Sequence, residues 1–269
     1  MNTLNKYVRT IAASAAFALG AGVASTANAA PAFKVDPTSI SGTGSIFTAD
    51  FISGFSSALI TKTVGNVYQS VGWINYTSFS NGPAAVLPGT SRVGVDYGLY
   101  ATFTQLFACS GPLGVGVTCA VTSIDLSLFA DVGFGNTYTS AALPGTAASV
   151  MDLGTADIKL GTANIIVNGV AGLNAAGGAF ENVNTNFDLT VAGKNYFIEP
   201  VPFYNLAFSN FNNTSQGIAC DTAGCVNVNT VSINSENGGT DFNRIPEPAT
   251  LALLGLGLLG AGVSRRRKL

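Results

Sequence analysis

Between Arg92 and Phe107 the chain reads RVGVDYGLYATFTQLF, which places Val93, Val95, Tyr97, Leu99, Ala101 and Phe103 at every second position. Gly94, Asp96, Gly98, Tyr100, Thr102 and Thr104 fill the alternate set. Side chains of a strand point to opposite faces in turn, so this period of two describes a half-buried β-strand. A second run, Ala120 to Val132, sets Ile124, Leu126 and Leu128 on an inner face against Val121, Ser123, Asp125, Ser127 and Phe129. A short loop between Cys109 and Cys119 joins the two runs, as in a hairpin. Further strands are expected in Ala156–Val170, turning at Asn168-Gly169, and in Asn186–Ile198, turning at Ala192–Asn195. Asn205–Phe211 and Val226–Ile233 supply the last strands, and Phe33–Asp36 with Ser45–Gly54 an early pair. Ala171–Ala179 reads as a Gly-rich loop, and Glu199-Pro200-Val201-Pro202 as a break or an edge. Helical periodicity is nearly absent. The expected fold class is therefore all-β, an antiparallel β-sandwich or jelly-roll-like body.

The two ends follow a different grammar. Lys6 and Arg9 precede an uncharged run from Ile11 to Val23, and Ala27-Asn28-Ala29 supplies small residues where a signal peptidase reads them. This is a signal peptide with cleavage after Ala29. At the other end Pro246, Glu247 and Pro248 precede the apolar Ala249–Val263 and then Arg265, Arg266, Arg267 and Lys268. Fifteen residues of helix rise only about 23 Å, short of a hydrocarbon core of ~30 Å. A short transmembrane helix of this kind suits transient inner-membrane anchoring better than a permanent span. The basic cluster is a stop-transfer signal that stays cytoplasmic, which places the body outside the membrane.

This three-part tail resembles the PEP-CTERM sorting domain of Gram-negative bacteria. That resemblance implies removal of the tail by an exosortase, after a signal peptidase has acted at the N-terminus. The opening Phe33-Lys34-Val35-Asp36-Pro37 and Phe47-Thr48-Ala49-Asp50 segments resemble those of flocculation-associated PEP-CTERM proteins. What that implies is a cell-surface or extracellular-matrix protein that holds cells together with exopolysaccharide. It supplies no binding residue. The expected organisation is a signal peptide over 1–29, a β-rich extracytoplasmic domain over 30–238, a linker over 239–244 and the sorting tail over 245–269.

Charge and residue usage narrow the function. Six of the twelve basic residues lie in the two targeting segments, whereas all fourteen acidic residues lie between Asp36 and Glu247. The body is thus acidic and sparsely charged, which argues against nucleic acid as a partner. The chain has no histidine, which removes the commonest general base and most zinc sites; no metal or cofactor is expected. Four cysteines in an exported chain point to disulfides, and of three connectivities the local pairs Cys109–Cys119 and Cys220–Cys225 are expected because each closes a Gly-containing turn.

The chain is expected not to be an enzyme. A glycan hydrolase needs only two carboxylates, for which Glu181 and Glu199 stand first and Asp125 and Asp131 second, but scattered surface acids explain them as well. Asp152 and Asp157 could contribute oxygen ligands to calcium, although no D-x-D-x-D-G loop is present. Trp73, the single tryptophan, and Tyr76 are possible glycan contacts if their rings are exposed; otherwise they belong to the core. A carbohydrate-binding module is therefore the alternative to a matrix protein.

Overall fold

The structure is a computed structural model that describes residues 30–152, 157–213 and 217–244. The signal-peptide residues Ala27 and Ala29, the sorting residues Pro246, Glu247 and Pro248, and the basic Arg265, Arg266, Arg267 and Lys268 lie outside the described residues, as does the expected short membrane helix.

The described chain is almost entirely β. It runs through β1 (Phe33–Val35), β2 (Phe47–Ala49), β3 (Phe51–Lys62), β4 (Val67–Asn81), β5 (Ala84–Ala85) and β6 (Tyr97–Cys109). Then follow β7 (Thr118–Val132), β8 (Asn136–Thr139), β9 (Ser149–Asp152), β10 (Ile158–Ala163) and β11 (Ile166–Leu173). The remainder is β12 (Ala179–Asn186), β13 (Asp188–Leu189), β14 (Phe197–Glu199), β15 (Leu206–Asn212), β16 (Ile218–Cys220) and β17 (Thr230–Asn243).

Eight of these strands close into an antiparallel barrel in the order β3-β4-β6-β7-β11-β12-β15-β17, with β17 returning to β3. The all-β class stands, but a sandwich or jelly roll does not. The closing contact is β7 with β11, which sets Ala120, Cys119 and Thr118 opposite Val170, Ala171 and Gly172. A sheet that meets itself has no free edge along that wall, and one face of every strand becomes interior.

Both ends of the barrel are filled. At one end β1 pairs with β2 and β14 in a separate three-stranded sheet. Phe33 meets Phe79, Phe197, Phe203 and Phe242 edge-on there. The early strand pair is thus present, with Phe33 opposite Ala49 and Val35 opposite Phe47. At the other end the two disulfides, Cys109–Cys119 and Cys220–Cys225, hold loops that dock on each other. Val115 N–H donates to Cys225 O at 3.0 Å and Val228 N–H to Leu113 O at 2.9 Å. The buried Tyr68 hydroxyl ties them to the wall, accepting from Leu113 N–H at 2.8 Å and donating to Val228 O at 3.1 Å. The bridges therefore have the expected local pairing and jointly form a plug.

Several local expectations change once neighbours are in place. β6 begins at Tyr97, because Pro88–Ser91 form one helical turn and Arg92 adopts φ 64° before an ion pair with Asp96 at 2.6 Å. Asn168-Gly169 lies inside β11, paired with Asn184 and Val183, and the reversal falls later, around Asn174–Gly178. Of the expected Ala171–Ala179 loop, the first three residues and the last are strand. Ala192–Asn195 belongs to a short helix, Val191–Tyr196, capped by Thr190. Val121 faces inward with Ile124 and Leu128, because an extra residue in β7 opposite Leu106 and Phe107 reverses the alternation.

The largest correction concerns the expected linker. Residues 239–243 belong to β17, paired to β15 throughout and to β3 at Gly239 and Thr240, with Thr240 and Phe242 buried. The Gly238-Gly239 pair is there for close approach: a Cβ on Gly238 would sit 1.9 Å from Asn210 O, and one on Gly239 2.1 Å from Ile52 O. Glycine is the residue that lets two flanking strands come this near.

A chain ending at Arg244 is expected to melt cooperatively by circular dichroism, whereas one ending at Asn237 loses part of a wall strand and Phe242 and does not. Replacing Cys220 and Cys225 by serine is expected to lower stability by about 2 kcal/mol, by loss of loop closure, measurable by urea denaturation.

Candidate functional site in the barrel lumen

The interior face is not uniformly apolar. Ser56 on β3, Ser70 on β4, Gln105 on β6, Glu181 on β12 and Glu236 on β17 line a cavity of about 40 Å³ between the two plugs, together with apolar residues such as Ile74 and Phe103. That volume is room for a few water molecules. No lysine or arginine lines it.

Each polar group arrives there by strand geometry. Gln105 continues the alternation of Tyr97, Leu99, Ala101 and Phe103 along the inner face of β6. Glu181 shares its face of β12 with Val183 and Thr185. Glu236 depends on a register shift: Ile233 faces Ala58 and Glu236 faces Ser56, so β17 carries one residue more than β3 over this stretch. That bulge turns Glu236 inward, where unbroken alternation from Ile233 would have placed Ser235.

Gln105 Nε2 donates to Glu181 Oε2, and Ser56 Oγ donates to Glu236 Oε2 at 3.3 Å. Glu236 Oε1 and Gln105 Oε1 are buried without a protein partner. Burial pushes the Glu236 carboxyl up to about 8, with the nearby Glu181 charge adding to the rise. Glu181 is raised by the same desolvation, partly offset by Gln105. Beside them Tyr76 Oη lies 2.8 Å from Thr240 Oγ1, which lies 3.0 Å from Ser209 Oγ. Burial pushes the Tyr76 hydroxyl up to about 12. At neutral pH the lumen thus favours protonated, uncharged side chains.

The other candidate residues are dispersed. Glu199 is on the surface in an ion pair with Lys34 at 2.8 Å, far from the lumen role of Glu181 in both exposure and partners. Asp125 lies in an open outer groove of about 290 Å³ with Thr102, Thr104, Ser127 and Ser149. Asp131 is buried and accepts from Gly135 and Asn136 backbone N–H groups at 2.8 and 3.2 Å, which makes it a turn-holding residue. Asp157 accepts from Tyr100 Oη and from Asn136 Nδ2, while Asp152 sits opposite Asn136 at the end of β9. Among the described residues no three His, Cys, Asp or Glu side chains form a metal cluster.

Trp73 and Tyr76 do not form an exposed platform. Trp73 is 2 % exposed, packs edge-on against Phe55 and Tyr138, and donates from Nε1 to Thr139 O at 2.8 Å. Tyr76 is 4 % exposed and points to the other side of the same wall. A sugar stacks on an open ring face, and neither residue offers one.

The outer wall of β11, β12 and β15 instead carries rows of carboxamides. Asn184 Nδ2 donates to the facing Asn168 Oδ1 at 2.7 Å, and Asn210 Nδ2 donates to the facing Asn182 Oδ1. Half-buried Phe180 and Phe208 share that face by alternation. The sequence reading missed both this face and Glu236. Alternation of Phe180, Asn182, Asn184 and Asn186 was legible in the chain; the bulge that aims Glu236 was not.

Residues 244–268 match the PEP-CTERM protein-sorting motif. This motif supports exosortase-dependent export and a place at the cell surface. It covers the tail alone. Neither a curated protein nor a solved structure matches the chain. Among the described residues no helix is long and apolar enough to cross a membrane.

The raised Glu236 group sets the sign of a pH effect. The folded state keeps its proton where the unfolded chain has already lost it, so stability is full below about pH 4.5 and erodes as pH rises towards 8. Glu181 acts in the same direction. In the absence of divalent cations, urea denaturation is expected to show a loss of up to about 1.4 kcal/mol per pH unit from one such group. Glu236→Gln is expected to flatten this dependence and to be at least as stable as the parent at pH 8.

Proposed function

We propose that the barrel is a non-catalytic surface or matrix protein that promotes flocculation or biofilm formation together with exopolysaccharide. The observation that carries this reading is the sorting motif at residues 244–268, which directs the chain to the surface where such material lies. The form of the domain is consistent with it. The lumen pair of carboxyls, Glu181 and Glu236, faces a cavity of about 40 Å³ too small for a sugar ring. Glycoside hydrolysis needs its two carboxyls on either side of a bound glycosidic bond. The paired disulfide loops and closed wall suit persistence outside the cell.

A second reading, a carbohydrate-binding module, draws support from the outer carboxamide rows. Asn168, Asn182, Asn184 and Asn210 present uncharged groups that both donate and accept, on the same face as half-buried Phe180 and Phe208. A neutral polysaccharide fits such a face, and it loses nothing to charge repulsion there.

Settling of cells that lack the gene tests the first reading. The full chain is expected to restore flocs, and a chain ending before Ile245 to leave cells dispersed. Unchanged settling on deletion would overturn the flocculation role. Saturable binding of the purified exported protein to a defined neutral oligosaccharide, lost when Asn182 and Asn210 become alanine, would establish the second reading instead.

A further inference from the structure

We propose that the barrel lumen is a site for a hard divalent cation of the calcium class, held between Glu181 and Glu236 with Gln105 as a neutral oxygen ligand. This goes beyond the surface role above and does not depend on it.

The lumen brings together oxygen atoms from separate parts of the wall. Glu181 comes from β12 and Glu236 from β17, with β15 between them, while Gln105 comes from β6 and Ser56 from β3. Calcium takes oxygen ligands of this mixture: carboxylates, a side-chain carbonyl, a hydroxyl and water. Soft ligands are not needed and none is offered, since all four cysteines are in disulfides.

The unpartnered atoms have one chemical sense. Glu236 Oε1 and Gln105 Oε1 are acceptors, both residues are at least 95 % buried, and both line the cavity. The Gln105 amide N–H group is spent on Glu181 and the Ser56 hydroxyl on Glu236. Once the carboxyls are ionised, such a site lacks positive charge or a donor, and the wall supplies no lysine or arginine. Two carboxylates facing one lumen without a counter-ion are disfavoured. One divalent ion would neutralise both at once. A volume of about 40 Å³ leaves room for the ion and a water or two.

Proton release follows. The titratable groups that face this space are Glu181 and Glu236, with Tyr76 lining the adjoining pocket and feeling the Glu181 charge. Tyr76 stays protonated throughout, and the carboxyls bind the ion in their deprotonated form. Binding must therefore tighten as pH rises from 5.5 to 8.5.

The test is thermal unfolding of the purified exported protein after chelator treatment, with and without millimolar CaCl₂, at pH 5.5 and 8.5. Wild type is expected to gain several degrees in Tm with calcium at pH 8.5 and little at pH 5.5. Calorimetric titration in buffers of different ionisation enthalpy is expected to record proton release. Glu236→Gln and Glu181→Gln each keep the side-chain shape without the charge, and each is expected to fold and to lose the calcium-induced shift. If wild type shows no shift at pH 8.5, the lumen holds water and protons only and the proposal fails. It fails equally if the Glu181→Gln/Glu236→Gln double variant keeps the full shift, because calcium then acts at the surface.

Discussion

The pairing of β7 with β11 is the contact on which the rest of the molecule depends. Three residues of each strand face one another there, and without them β11 would be a free margin of an open sheet and the start of β7 would lose its neighbour. Closure gives every wall strand two neighbours and converts its apolar alternate positions into one enclosed interior. The same β7 reaches past this contact to pair with β10 through Leu126–Ala130. A single long strand therefore ties together the closing seam, the β6 hairpin and the β10 extension.

Closure creates a tube, and a tube has two ends that must be covered. The solutions differ chemically. One end is filled by aromatic rings packed edge-on around Phe33, Phe197 and Phe242, which supply large buried area with few rotatable bonds. The other is covered by two short disulfide loops that bond to each other and to Tyr68. Between these plugs lies the polar stretch of the lumen. Gln105, Glu181 and Glu236 share this cavity with Leu113, Phe107 and Leu173, so it reaches the inner side of the disulfide plug.

Much of the wall was legible beforehand. Leu99, Ala101 and Phe103 on β6, and Ile124, Leu126 and Leu128 on β7, take the inner face that their spacing assigns. The early pairing of Phe33–Val35 with Phe47–Ala49 was also readable, as were both disulfide pairs. Errors fell where local chemistry and tertiary context disagree. Asn168-Gly169 has the composition of a turn, yet pairing with Asn184 and Val183 of β12 keeps it extended, just ahead of the residues that meet β7. Gly238-Gly239 has the composition of a linker, yet it sits where Asn210 and Ile52 crowd the backbone. Trp73 beside Tyr76 suggested a sugar platform, but a hairpin of β8 and β9 contributes Tyr138 and the Thr139 carbonyl that cover the indole.

The sequence by itself determined the all-β class and the sorting tail, and it favoured the cysteine pairing that the structure has. Period-two alternation, a sorting motif and short cysteine spacing are all local, and each acts through neighbours along the chain. Closure, the plugs and the site were decided only by the tertiary structure. Which strand meets which is a matter of loop closure and shared burial over long separations, as with Glu181 and Glu236. The inward turn of Glu236 rests on one extra residue in β17 relative to β3. A bulge is defined by the partner strand, so no reading of β17 alone could aim that carboxyl into the lumen.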